Sequence, residues 1–172
     1  MIRIDVNLCT GCRCCEAACA FHHTGSGGRH LARIRVVNLY ELGVDAPVVC
    51  QQCVERACLA CPTDALTLGT MGEIVVSPTL CSECGACARS CPIGAIETVD
   101  GVPFVCDLCG GEPRCVEACT QGAIAFEPGT GGRISLASFT AGGERLAPSG
   151  KRARLAGALG SAVRASWGVS RG

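Results

Sequence analysis

The spacing of the cysteines constrains this chain more than any other feature. The chain has 172 residues and 17 cysteines, and only Cys14 lies outside four regular motifs. Motifs one to four are Cys9-x2-Cys12-x2-Cys15-x3-Cys19, Cys50-x2-Cys53-x4-Cys58-x2-Cys61, Cys81-x2-Cys84-x2-Cys87-x3-Cys91 and Cys106-x2-Cys109-x5-Cys115-x3-Cys119. Thiols at this density indicate a disulfide scaffold, structural zinc or iron–sulfur clusters.

The disulfide interpretation fits the sequence poorly. The number of cysteines is odd, and disulfides persist in oxidising compartments. The N-terminal residues lack the charged start, apolar core and cleavage site of a secretory signal. We therefore expect a cytoplasmic protein with reduced cysteines, unless a partner subunit carries a twin-arginine signal for both.

Composition limits the remaining function classes. No apolar run approaches the ~20 residues that span a bilayer, so no membrane span is expected. Residues 151–172 carry five basic residues and no acidic residue, but they offer no aromatic stacking platform for nucleic acid. The chain has only six aromatic residues. A conventional core would be thin, and metal clusters that fill the interior would contribute folding energy.

Three of the motifs end in variants of one repeated phrase. These are Cys61-Pro-Thr-Asp-Ala-Leu, Cys91-Pro-Ile-Gly-Ala-Ile and Cys119-Thr-Gln-Gly-Ala-Ile. Each phrase leads into a predicted pair of short strands, at 65–68 and 73–76, at 95–99 and 102–105, and at 123–127 and 133–137. Asp100-Gly101 is a strong hairpin turn between the second pair. After motif one, a longer loop leads to a predicted strand at 33–40.

The spacing favours cubane clusters over zinc. Zinc sites take four ligands, usually from two separated pairs. Three cysteines within seven residues, a fourth three residues later and then proline are typical of bacterial [4Fe-4S] proteins. Motif three has this whole pattern, with Pro92 after its last cysteine, and motif one lacks only the proline. We expect four [4Fe-4S] clusters.

The fourth cysteine of each motif predicts the architecture. In two-cluster ferredoxins this cysteine binds the neighbouring cluster, so motifs that exchange it must be adjacent in space. Motifs two and three then form one pair and motifs one and four another. We therefore predict an α+β fold of two bacterial-ferredoxin-like modules: an outer module at 1–45 and 100–137, and a module inserted in it at 46–99. A linker and C-terminal helix follow at 138–172.

The order of the motifs resembles the four-cluster ferredoxin subunits of molybdenum and tungsten oxidoreductases, the dimethyl sulfoxide reductase type. The resemblance covers roughly residues 1–137 and is carried by the second motif together with the final segment Cys-Asp-Leu-Cys-Gly-Gly-Glu-Pro-Arg-Cys-Val-Glu-Ala-Cys. In its short length, the chain is most similar to the small polyferredoxin subunit of tungsten aldehyde oxidoreductases.

The resemblance implies a nested set of ligands. Cluster 1 takes Cys9, Cys12, Cys15 and Cys119; cluster 2 takes Cys50, Cys53, Cys58 and Cys91; cluster 3 takes Cys61, Cys81, Cys84 and Cys87; cluster 4 takes Cys19, Cys106, Cys109 and Cys115. The sequence departs from the family at two places. Only Leu59 and Ala60 precede Cys61, where the family has three residues. Cys14 is an extra thiol that could replace Cys15, although Cys15 keeps the standard distance to Cys19.

No arrangement of residues typical of a catalytic centre stands out. His22, His23 and His30 follow motif one, and we expect them to be exposed loop residues because cysteine supplies every cluster ligand. The function that the resemblance implies is an electron relay between a large catalytic subunit, aldehyde-oxidising and containing tungsten or molybdenum, and a soluble acceptor or further redox subunit. Alternatives are a free-standing polyferredoxin, or a relay subunit of a hydrogenase, formate dehydrogenase or carbon monoxide dehydrogenase.

The C-terminal segment predicts an amphipathic helix at 151–167. Leu155, Leu159, Val163 and Trp167 recur every four residues. These side chains are candidates for docking on a partner or on a second copy of the chain. The alternatives are a helix that packs on its own domain, a frayed tail, and a weak membrane-surface helix.

The cysteine pattern makes a quantitative prediction about metal content. Anaerobically purified protein should contain about sixteen iron atoms and about sixteen acid-labile sulfides per chain, since each cubane has four of each. Colorimetric iron and sulfide assays measure both, with zinc analysis of the same sample as the control. About four zinc atoms, no sulfide and a colourless solution would contradict the prediction.

Overall fold

A computed structural model describes residues 1–129, 135–140 and 145–168. The strands are β1 (Ile2–Ile4), β2 (Arg35–Leu39), β3 (Val44–Val48), β4 (Leu66–Leu68), β5 (Ile74–Val76), β6 (Glu97–Val99), β7 (Val102–Phe104) and β8 (Ile124–Phe126). The helices are α1 (Cys14–Thr24), α2 (Ala86–Ser90), α3 (Arg114–Glu117), α4 (Ala137–Thr140) and α5 (Pro148–Ser166), with 3₁₀ turns at Arg29–Leu31, Ala57–Leu59 and Leu108–Gly111. The predicted mixture of short helices and strands is confirmed.

Two of the predicted hairpins are confirmed. Strands β4 and β5 pair antiparallel, as do β6 and β7. Asp100 and Gly101 both adopt positive φ, 50° and 82°, as a two-residue turn between twisted strands requires. The predicted strand at 33–40 is β2, and it pairs with β3, a strand that was not predicted.

The third predicted hairpin is wrong in its pairing. Strand β8 pairs antiparallel with the N-terminal strand β1, with Ile2 opposite Phe126 and Ile4 opposite Ile124. Residues 133 and 134 of the expected partner lie outside the described residues, and Ala137 begins α4. The physical reason lies in where the apolar side chains are buried: Leu136 of the expected partner belongs to the second group of buried residues, around 48–105, whereas β1 brings the fully buried Ile2 to β8.

The buried residues form two hydrophobic clusters. The first contains Cys15, Cys19, Cys106 and Cys115 among thirteen buried residues drawn from 2–49 and 106–124. The second draws on 48–105 and adds Leu136 and Leu155. Among the described residues, neither cluster has a fully buried aromatic side chain, so aliphatic side chains and thiols fill both interiors. Strand β3 spans the predicted domain boundary at residue 45, and its Val48 belongs to the second cluster.

Helix α5 packs on its own chain. Leu155 and Val163 are buried, and Leu159 contacts the second hydrophobic cluster. Gly160 faces the side chains of Leu39 and Leu42 around the β2–β3 hairpin. This differs from the predicted docking of these leucine and valine side chains on a partner, because the chain's own hairpin and core already cover them.

Trp167, the fourth side chain predicted for docking, stays 50% exposed. Within the described ranges, no helix has the length and apolarity required to cross a membrane.

A buried carboxylate joins α1 to the β2–β3 hairpin. Glu16 is 2% exposed and accepts a hydrogen bond of 2.8 Å from the backbone N–H of Val36. Arg13 lies 3.3 Å from the same carboxylate. A buried charge is tolerated only when it is paired and hydrogen-bonded, and Glu16 meets both conditions. This contact fixes the hairpin against the helix that carries the last two cysteines of motif one.

Replacement of this carboxylate should destabilise the fold. We expect Glu16→Ala to lower the free energy of unfolding by about 2–4 kcal/mol, because the Val36 N–H and the Arg13 guanidinium lose a buried partner. Anaerobic guanidinium titration followed by far-UV circular dichroism measures the change.

The control for this substitution is Glu117→Ala. Glu117 forms the same kind of i,i+3 pair with Arg114, at 3.0 Å, but both side chains are exposed. We expect a change below about 0.5 kcal/mol for this pair. Equal losses in the two variants would contradict the structural role assigned to Glu16.

Candidate metal centres

The four cysteine motifs share one backbone feature. The residue before the second cysteine of each motif has a left-handed conformation. These residues are Gly11 (φ 67°), Gln52 (φ 47°), Glu83 (φ 58°) and Leu108 (φ 59°). A left-handed residue within such a loop turns successive backbone N–H groups toward one concave side, which suits an anionic centre.

Three of these four residues are not glycine, so the conformation is held at an energetic cost. Only at Gly11 could the left-handed conformation be recognised from the sequence.

Cluster 1's predicted ligands lie around one cavity. Cys9, Cys12, Cys15 and Cys119 line a concave space of about 320 Å³, which includes its opening to solvent. Burial raises the pKa of the Cys9 thiol, and the charges of Cys12 and Cys119 raise it further. The loop of motif one and a residue more than one hundred positions later are thus brought together.

Cluster 3's predicted ligands line a second cavity. Cys61, Cys81, Cys84 and Cys87 surround about 280 Å³, again counted with the opening to solvent. Backbone and hydroxyl donors lower the pKa of two of these thiols. The largest contribution comes from Thr63 for Cys61 and from the N–H of Ala86 for Cys84. Donors directed at sulfur stabilise the thiolate, which is the form that binds metal.

Cluster 2's predicted ligands are coupled electrostatically. Burial raises the pKa of Cys50 to about 12, and the thiols of Cys91, Cys58 and Cys53 add to the increase. Burial also raises the pKa of Cys58 to about 12, with Cys91 the largest charged contributor. The thiol of Cys91 accepts a hydrogen bond of 3.2 Å from the N–H of Ala95.

Cluster 4's predicted ligands form the most enclosed group. Cys19, Cys106 and Cys115 are all buried. Burial raises the pKa of the Cys115 thiol. The charges of Cys106, Cys19 and Cys109 raise it further, in that order of size. The backbone N–H of Arg33 lies 3.2 Å from the thiol of Cys19. Without a cation, so many neighbouring buried thiols would stay protonated at neutral pH.

The chemistry of these donor sets fits an iron–sulfur cluster. Each set offers four thiols, three from one loop and one from a distant segment, with backbone N–H groups directed at sulfur. Thiolates are soft ligands that select iron–sulfur clusters, zinc or copper(I). Metal binding releases the thiol protons, so it couples to pH and to folding.

The short spacing in motif two coincides with a different local helix geometry. In motifs one and three, the last two cysteines are four residues apart and α1 and α2 join them, so they lie one α-helical turn apart. Cys58 and Cys61 are three residues apart, and Cys58 lies in a 3₁₀ turn at Ala57–Leu59 that ends two residues before Cys61. A 3₁₀ helix has three residues per turn and is wound more tightly than an α-helix, and with this turn in place Cys61 still lines the second cavity.

Cys14 and Cys15 have different surroundings. Cys15 is 6% exposed and lines the first cavity, whereas Cys14 is exposed and does not line it. The two residues begin α1, and a rotation of about 100° per helical residue turns adjacent side chains in different directions. The geometry therefore favours Cys15 as the third thiol of this loop.

His22 and His30 are exposed as expected, but His23 is not. His22 and His23 lie within α1, and His23 is largely buried, with its Nε2 3.7 Å from the thiol of Cys109 and 3.5 Å from Asp107. Burial lowers the pKa of His23, and the nearby Arg33 guanidinium lowers it further. His23 is thus a neighbour of a predicted cluster ligand. A helical turn of four residues from Cys19 to His23 was the available sequence signal.

Comparison with protein families identifies a "4Fe-4S binding domain" at residues 74–97. The chain is 42% identical over 124 residues to the "aliphatic sulfonate oxidoreductase, polyferredoxin-like subunit" of Pyrococcus furiosus. The aligned residues cover 70% of this chain and 71% of the relative. It is 37% identical over 135 residues to the "putative electron transport protein YsaA" of Escherichia coli, over 70% and 84% of the two chains.

A third relative is longer. The beta subunit of the "NADH-dependent phenylglyoxylate dehydrogenase" of Aromatoleum evansii is 34% identical over 134 residues, which cover 72% of this chain and 29% of that subunit. All three similarities extend well beyond the 24 residues of the domain match.

The surroundings of Cys14 and Cys15 predict opposite results for two substitutions. Cys14→Ser should keep the full iron content and remove the one thiol that iodoacetamide labels in the native anaerobic protein. Cys15→Ser should lose about four iron atoms per chain, since a cubane needs its thiolates. Iron assay and mass spectrometry of labelled protein measure both. Loss of iron in Cys14→Ser, with full iron in Cys15→Ser, would reverse the assignment.

Proposed function

The chain belongs to the polyferredoxin-like family of 4Fe-4S electron-transfer proteins, and we propose that it relays electrons through four [4Fe-4S] clusters for a separate catalytic subunit. The observation that carries this proposal is that thiols from distant motifs lie together: Cys119 lines one cavity with the loop of Cys9 to Cys15, and Cys61 lines another with the loop of Cys81 to Cys87. No proton or substrate chemistry is required of this chain.

The proposed ligands are the four sets expected from the motifs. They are Cys9, Cys12, Cys15 and Cys119; Cys50, Cys53, Cys58 and Cys91; Cys61, Cys81, Cys84 and Cys87; and Cys19, Cys106, Cys109 and Cys115. When bound, a cubane supplies a one-electron couple, whose potential lies anywhere from about −700 to +450 mV depending on its surroundings. The protein's part is to hold the thiolates, direct N–H groups at sulfur and exclude water.

We further propose that the two hydrophobic clusters mark two ferredoxin-like modules, one inserted in the other. The first cluster joins the N-terminal segment to residues 106–124, and most of the second lies in the segment between them. Each module would hold two of the thiol groups. The hairpin β2–β3 would connect them, because Val36 belongs to the first cluster and Val48 to the second.

The proposed partner is the catalytic subunit of an oxidoreductase, in the cytoplasm. Two relatives are named as subunits of oxidoreductases, one acting on aliphatic sulfonates and one on phenylglyoxylate, which supports such a partner. The resemblance of the motifs adds a finer proposal, a tungsten or molybdenum enzyme that oxidises an aldehyde. The partner would deliver electrons to this chain, which would pass them to a soluble acceptor or further redox subunit.

A free-standing polyferredoxin is the second candidate. The packing of α5 on its own chain favours it, because Leu155 and Val163 are buried there and do not need a partner to cover them. Under this proposal the protein would exchange electrons by diffusional encounter rather than in a lasting complex. The half-exposed Trp167, which directly follows α5, is then a large apolar side chain left for contact with a partner or a second copy.

Co-purification from the native host separates the two candidates. An affinity-tagged chain should elute anaerobically with a large subunit, and metal analysis of the complex should find tungsten or molybdenum besides iron. An untagged strain is the control. Elution of the iron-containing chain alone would favour the free-standing protein, and nickel in the co-eluting subunit would redirect the partner to a hydrogenase or carbon monoxide dehydrogenase.

A further inference from the structure

The start of α5 lies directly on the turn that carries Cys91. Gly94, within this turn, has a left-handed φ of 64°, and a Cβ there would overlap the backbone carbonyl of Pro148. The equivalent position in the last repeat is Gly122, which also has a left-handed φ. A Cβ added at Gly122 would meet no heavy atom of the described residues within 4 Å. Helix α5 therefore approaches only one of these two repeated turns closely, the turn at Gly94.

Two buried cations of α5 bind the backbone of that turn. Lys151 is 2% exposed, and its Nζ donates to the carbonyl oxygens of Arg89 and, at 3.0 Å, of Cys91. Arg152 is 8% exposed and donates to the carbonyl of Gly94 at 2.8 Å. The segment that positions the Cys91 thiol is thus hydrogen-bonded on both sides of that residue by one helix.

Among the residues that the structure describes, the positive charge at this turn exceeds the paired negative charge. Glu97 accepts hydrogen bonds from Arg152 at 2.7 Å and from Arg35 at 2.8 Å, so one carboxylate serves two guanidinium groups. Among the described residues, Lys151 forms no ion pair with a carboxylate. A buried ammonium normally requires a compensating negative charge. The thiolate group to which Cys91 belongs can supply it, since Lys151 donates to the backbone carbonyl of that residue.

We propose that Lys151 and Arg152 are positioning residues for the cluster held by Cys50, Cys53, Cys58 and Cys91, and that their fixed positive charges raise its reduction potential. This inference rests on the proposed function, since it presupposes a cubane on these thiols. A thiolate-ligated cubane is anionic, and reduction adds a further negative charge. A nearby buried cation stabilises the reduced state more than the oxidised state, because Coulomb interactions are weakly screened away from water.

The consequence is a difference between the two modules. Helix α5 supplies its buried cations at the Cys91 turn. In the first module, the basic residue beside Cys19 is Arg33, and Asp107 pairs with it. The cluster at Cys91 would therefore hold an electron more readily than it would without α5, and the C-terminal helix would give the relay a preferred site for the electron.

The test is an anaerobic redox titration with dithionite, monitored by electron paramagnetic resonance, on the full chain. Lys151→Gln removes the charge but keeps a side chain that donates to carbonyl oxygens. We expect this variant to retain its iron. The reduction equilibrium of one cluster, which gives about a quarter of the signal, should shift by roughly tenfold toward the oxidised form. A tenfold shift is about 59 mV for a one-electron couple.

Two further variants serve as controls. Arg164→Gln removes a charge from the same helix, where Arg164 donates to the carbonyl of Leu42 at 2.8 Å, and should leave all four potentials unchanged. Lys151→Arg keeps the charge, so the reduction potential of this cluster should stay closer to the wild-type value than in Lys151→Gln. Wild-type potentials in an iron-replete Lys151→Gln would overturn the inference, as would an equal shift in Arg164→Gln. Wild-type protein without any cubane signal would instead refute the proposed function.

Discussion

The fold depends on the convergence of thiols from distant parts of the chain. In each proposed ligand set, three cysteines come from one loop and the fourth from another segment, as Cys119 joins the loop of Cys9 to Cys15 at the first cavity. The loops themselves are strained, with left-handed residues such as Gln52 and Leu108. Strain of this kind persists only where the surroundings over-determine the conformation. Under our proposal, metal binding supplies the free energy that holds these loops.

This dependence explains why so little conventional core is needed. The strands are three to five residues long, and two-stranded ribbons of that length are marginal by themselves. Each ribbon is stabilised because one of its faces packs beside a group of thiols and a few aliphatic side chains such as Ile34 and Ile96. Under our proposal, the same thiols serve both the interior of the protein and its redox chemistry.

Local features of this chain could be predicted where the chemistry is local. The hairpin at Asp100-Gly101 follows from turn geometry alone, and the repeated phrases located the strands β4 to β8 closely. The pairing of β8 with β1 could not be predicted, because Ile2 and Ile124 are far apart in sequence and a three-residue strand carries little pattern. The same holds for His23: its contact with Cys109 depends on how α1 packs against the last motif.

The C-terminal helix shows the limit of amphipathic patterns. The four-residue spacing from Leu155 to Trp167 predicts an apolar face, but it does not say which surface covers that face. In the structure the answer comes from Gly94, whose missing side chain allows the start of α5 to approach, and from Lys151, whose charge needs a buried acceptor. Neither residue would be noticed in a search for hydrophobic docking positions.

The central claim is that the metal-binding thiol groups hold the fold together. Amide hydrogen exchange before and after anaerobic removal of iron with a chelator tests it most directly. The account predicts that protection in β1, β8 and β2 disappears together with that of α1, since these elements meet around the same thiols. Unchanged protection in the iron-free protein would contradict the account, because the aliphatic core would then be sufficient without metal.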